Sequence, residues 1–161
     1  MPSLDAAPAV PNMSVRRVAL GFAAGAIAIV LCHQPVLALL TVMGMSTADT
    51  FSWRPTEPFG VPRLLSLCFW GGLWGSLFVL IEPPPPRRTG YWLVAFAFGA
   101  VIPTLVGWFV VAPLRGVSPA GDWSGNRVLS SFLVNGAWAL GTAVILALAT
   151  RQFGSGAERE R

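Results

Sequence analysis

The sequence predicts an all-α, multi-pass integral membrane protein, with four transmembrane helices arranged as two helical hairpins. Three observations carry that expectation. Apolar runs near residues 18–40, 64–81, 92–114 and 128–150 contain no formally charged side chain. At 1.5 Å rise per residue, each can cross a hydrocarbon core of roughly 30 Å. Over the whole chain, hydrophobic residues make up 54% and charged residues only 11%, and 161 residues allow a single domain.

Residues 1–15 hold three prolines among small residues and little to bury, so they read as a disordered cytoplasmic tail. The membrane domain then occupies 16–151, opening with Arg16-Arg17 directly before the first run. That run is too long for a signal-peptide core and lacks a small-x-small cleavage site, so it is expected to be a retained span. Pro35, late in it, cannot donate to the Leu31 carbonyl, which predicts a kink or loosened turn. The loop over 41–62 is rich in Thr, Ser and Pro, and its Phe51, Trp53 and Phe59 suit the headgroup level. After the second run, four prolines at 83–86 and Arg87-Arg88 predict a short polyproline II strut serving as a stiff turn.

The third run enters through Tyr91-Trp92, carries Pro103 near its middle, and leaves through Trp108 and Pro113 to Arg115. A short loop with Asp122-Trp123 leads into the fourth run, which is expected to stop at Arg151 before a polar cytoplasmic tail over 152–161. With the N-terminus inside, Arg16, Arg17, Arg87, Arg88, Arg151, Arg159 and Arg161 lie inside, seven against Arg54, Arg63, Arg115 and Arg127 outside. The excess predicts both termini in the cytoplasm of a bacterial inner membrane.

Sliding the chain by 74 residues aligns 21–40 with 95–114 and gives identities at Phe22, Ala23, Gly25, Ala26, Leu31, Val36, Ala38 and Leu40. A shift of 64 aligns the second and fourth runs through Leu65, Ser66, Gly72 and Trp74. The chain reads as one hairpin repeated in parallel, about an axis along the membrane normal. Likeness of small-residue-rich spans by composition alone is the alternative.

Glycines set the expected packing. Gly21 and Gly25, Gly71 and Gly75, and Ala95 and Gly99 each stand four apart, so each pair forms a small-residue stripe that lets a neighbouring backbone approach. Polar side chains within the runs are few. His33 and Gln34 in the first, with Ser131 and Asn135 in the fourth, share one depth, and Thr142 extends the Asn135 face inward. Unpaired polar groups are costly in hydrocarbon, so His33 or Gln34 is expected to bond Asn135 or the freed Leu31 carbonyl.

Two readings of that cluster follow: interhelical glue, or the lining of a small ligand, ion or proton site. Haem ligation by His33 would need a second copy, because the chain has one histidine. Cys32 and Cys68 form no Cys-x-x-Cys motif and read as small buried hydrophobes, with a disulfide between them left open. No carboxylate falls inside a span, and no nucleophile stands beside a base, so no enzyme activity, metal or cofactor is expected. Scattered arginines exclude a nucleic-acid face. The expected partners are the bilayer and either further copies of the chain or a larger membrane complex. The function expected is a non-catalytic accessory, assembly or structural component, with a small oligomeric channel or transporter as the alternative.

His33-Gln34, Pro-Phe-Gly-Val-Pro at 58–62, Phe-Trp-Gly-Gly-Leu-Trp-Gly at 69–75, Trp-Phe-Val-Val-Ala-Pro-Leu at 108–114 and Asn-Gly-Ala at 135–137 form a recognisable set. With them the chain resembles a group of small four-span bacterial inner-membrane proteins to which no activity is assigned. The resemblance covers roughly residues 18–150. It implies topology and transfers no chemistry.

Overall fold

The structure is a computed structural model and describes residues 13–81, 89–118 and 123–159. The polyproline turn, Arg87-Arg88 and Asp122 lie outside the described residues, as does most of the N-terminal tail. Four apolar helices, Val15–Val42, Arg63–Ile81, Gly90–Leu114 and Gly125–Ala149, are each long enough to cross a membrane. They are spans one to four below, and the protein is an all-α four-helix membrane protein. The end that carries residues 43–62 and 115–124 is the loop end, and the opposite end is the termini end.

Two boundaries differ from expectation. The first helix begins at Met13, inside the segment read as tail. The last helix runs on to Arg159, past the stop expected at Arg151. Residues 152–159 hold two glycines but no proline, so nothing removes a backbone donor and the hydrogen-bond ladder continues.

Pro35 leaves the mark expected of it. The helix widens into a π segment over Ile29–His33, closed by the Gln34 amide donating to the Ile29 carbonyl. One extra residue in the turn moves the Leu31 carbonyl away from the pyrrolidine ring, and regular helix resumes through Gln34–Val42. Span three repeats the device. A π segment over Gly107–Val111, with the Ala112 amide on the Gly107 carbonyl, precedes Pro113. Pro103 sits within regular helix.

Spans one and two meet along the predicted glycines. Gly21 lies on Gly75 and Gly25 on Gly71, so close that a Cβ on Gly21 would stand 2.6 Å from the Gly75 carbonyl oxygen. Spans three and four meet the same way, with Gly99 against the Asn135 backbone and the Ala139 methyl. The contacts correspond position by position: Phe22 lays its ring over Gly72, and Phe96, 74 residues on, lays its ring over Gly136, 64 residues on.

The hairpins join through spans one and four, where Ala24, Ala28, Ala139, Ala143 and Trp138 are buried in the core. Trp138 donates its indole N–H to the Gly25 carbonyl at 2.9 Å. Spans two and three stay further apart along their backbones and touch through the ring of Phe78, 5.2 Å from that of Phe98 and 6.4 Å from that of Tyr91.

At the loop end, Pro55–Thr56 (β1) and Val61–Pro62 (β2) form a two-residue antiparallel ladder. Its turn closes with the Gly60 amide on the Thr56 carbonyl at a φ of 66°, a conformation that favours glycine. Trp53 and Phe59 are exposed there, 64% and 87%, as an interfacial role requires. The Arg54–Asp49 ion pair beside them is solvent-exposed and contributes little.

Candidate functional site

The five polar residues predicted to form one cluster are distributed over three separate places. His33 and Gln34 sit where the π segment ends. Gln34 is 1% exposed, and its side-chain amide is used at both ends. Nε2 donates to His33 Nδ1 at 3.3 Å, and Oε1 accepts the Phe51 amide at 2.7 Å. With Nδ1 accepting, the neutral imidazole carries its proton on Nε2. Phe51 has a φ of 49°, unusual for an aromatic residue, and Gln34 holds the chain in that turn. The pair therefore fastens the first loop onto span one. Neither residue bonds Asn135 or the Leu31 carbonyl, which corrects the sequence expectation. The sequence does not show which side of the helix the pair faces, because the π segment rotates everything beyond it.

Ser131 and Asn135 belong to a second group between spans three and four. Asn135 Nδ2 donates to Thr104 Oγ1 at 2.8 Å, and Thr104 Oγ1 lies 3.5 Å from the Ser131 carbonyl. The Ser131 hydroxyl bonds its own helix at the Arg127 carbonyl. Thr104, 1% exposed, is the partner that sequence reasoning missed. The available signal was that a hydroxyl deep in an apolar span must find an acceptor, and Asn135 was the group still needing one.

Thr142 stands apart, fully buried, donating to the Trp138 carbonyl one turn back. Trp138 was also missed as a structural centre. Its signal was position: tryptophan usually gathers at the membrane interfaces, and this one lies deep within a span. Two further hydroxyls tie elements together. Ser130 bonds the Met45 carbonyl at the loop end, and Ser76 bonds the Val18 carbonyl toward the termini end.

Gln34, Thr104, Thr142 and Ser130 are 1%, 1%, 0% and 6% exposed, and among the described residues every fully buried side-chain nitrogen or oxygen has a partner. Each polar group is thus consumed by a contact within the chain, chiefly with backbone. Cys32 and Cys68 are free thiols, and Cys32 packs its sulfur on Gly141 of span four. Among the described residues no three of His, Cys, Asp and Glu converge on a metal-sized site. The chain matches no family model, no curated protein and no solved structure.

Proposed function

We propose that the protein is a non-catalytic component of a bacterial inner membrane, acting as an accessory, assembly or structural partner of a larger membrane complex. One observation carries this reading: the buried side chains of Gln34, Thr104 and Thr142, and the half-buried Asn135, all make their hydrogen bonds within the chain. A channel built from copies of the chain would need some of them turned outward, toward an axis shared between subunits. The seven-to-four arginine excess supports cytoplasmic termini, and the resemblance to a group of small inner-membrane proteins supports the location.

The test is the mass and composition of the gently extracted, affinity-purified protein. A stoichiometric larger partner is the expected result. A pure homo-oligomer that conducts ions in vesicles, with conduction altered by His33→Ala or Asn135→Ala, would overturn the proposal in favour of a channel.

A further inference from the structure

Leu67, Trp74 and Phe78 stand seven and four residues apart on span two, which puts them on one side of the helix. Phe78 fixes what that side faces, because its ring meets Phe98 and Tyr91 of span three. The equivalent side of span four, 64 residues on, carries Trp138 and Thr142 and faces span one. The molecule therefore contains the same kind of helix–helix meeting twice, and only one of the two is closed.

In the closed one, the small residues Ala24 and Thr142 let the backbones approach, and the Trp138 N–H finds the Gly25 carbonyl. In the open one the corresponding residues are Phe98 and Phe78, whose rings hold spans two and three apart. On the loop side of those rings the gap is not refilled. Ile102 is 40% exposed where its counterpart Ala28 is 0%, and Trp74 is half-buried where Trp138 is 2% exposed. The Trp74 N–H has no acceptor among the described residues. Because every fully buried nitrogen there is partnered, this one must open to the surroundings. Trp74 lies near the middle of span two, at a depth where an unsatisfied N–H is costly.

We infer that the cleft between spans two and three, on the loop side of Phe78 and Phe98, receives one transmembrane helix of a partner protein. That helix presents a glycine near the midplane, and its carbonyl accepts the Trp74 N–H as the Gly25 carbonyl accepts that of Trp138. An acyl chain offers no acceptor at this depth. A second copy offers no glycine at this depth either: its glycines near the midplane are buried in its own seams, and the open ones, Gly90, Gly107 and Gly125, lie toward the ends of their spans. The inference rests on the accessory reading and names the surface through which it would act.

The test uses the full chain, donor-labelled at its C-terminus, in phosphatidylethanolamine–phosphatidylglycerol vesicles. The probe is an acceptor-labelled single-span leucine peptide carrying Gly-x-x-x-Gly at its centre, compared with the all-leucine peptide. Energy transfer should report association about tenfold stronger for the glycine peptide, falling about threefold in Trp74→Phe, which keeps the ring and loses the N–H. Ile102→Trp, which fills the cleft, should abolish the preference, and Leu65→Phe on the exposed flank should leave it intact. Equal binding of both peptides, or a preference that survives Trp74→Phe and Ile102→Trp, overturns the inference. Energy transfer between copies of the chain that Ile102→Trp removes also overturns it, by assigning the cleft to a second copy. Ion flux across the same vesicles is scored separately: conduction would sink the accessory reading while leaving the peptide result to stand or fall on its own.

Discussion

The two hairpins share one plan and differ in what fills it. In the first, the seam is glycine against glycine: Gly21 and Gly25 meet Gly75 and Gly71, backbone on backbone. In the second, the matching positions are Ala95 and Gly99 against Ala139 and Asn135, so side chains enter the seam. The polar reinforcement moves as well. The first hairpin is tied toward the termini end by Ser76 on the Val18 carbonyl, and the second toward the loop end by Asn135 on Thr104. The loops differ similarly. Gln34 fastens the first through the Phe51 amide, and at the position 74 residues on Trp108 packs edge-on against Trp123, 5.8 Å between centroids. The same geometry can thus be held by close packing or by side-chain bonding. The difference is what a destabilising substitution should expose.

The largest effect is expected at Gly25. Its neighbours Gly71 and Gly75 have no side chain to retract, so Gly25→Ala must push two backbones apart. A loss of about 3 kcal/mol, the upper range for overpacking, should appear as an earlier unfolding midpoint in a denaturing-detergent titration. Gly99→Ala sharpens the comparison. There one obstacle is the Ala139 methyl, so adding Ala139→Gly should recover part of the loss, whereas no second substitution should rescue Gly25→Ala. Equal behaviour of the two seams would break the comparison.

A smaller effect is expected from the polar tie. Asn135→Leu and Thr104→Val should each cost on the order of 1 kcal/mol, and a double-mutant cycle should return a coupling of about 0.6 kcal/mol. No coupling would mean that the bond is not made in the bilayer. The smallest global effect is expected at Gln34. Gln34→Leu leaves the Phe51 amide without its acceptor, so amide exchange across residues 43–62 should quicken while the unfolding midpoint barely moves.

Much of this plan was legible in the sequence because hydrophobic runs report depth directly. The four spans, the loosened turn before Pro35 and the glycine pairs at spacing four all follow from length, a missing N–H and small side chains. The offsets of 74 and 64 were legible too, and the paired contacts Phe22–Gly72 and Phe96–Gly136 follow them. What was not legible is rotation about each helix axis. His33, Gln34 and Asn135 were expected to meet, yet the π segment turns Gln34 toward the first loop while Asn135 faces Thr104. Nor could the runs alone say that spans one and four would close on each other while Phe78 and Phe98 held spans two and three apart. That depends on volumes at single positions, which composition averages away.

The central claim is that the buried polar side chains serve packing and line no water-filled path. The most direct measurement is labelling by a membrane-impermeant thiol reagent of Thr142→Cys and Asn135→Cys, each placed in a chain whose Cys32 and Cys68 are replaced by alanine and reconstituted in vesicles. The account predicts that both positions stay unlabelled over the time in which a cysteine at exposed Arg54 reacts fully. Rapid labelling at Thr142, the most deeply buried of them, would show water reaching the centre of the bundle and would contradict the account.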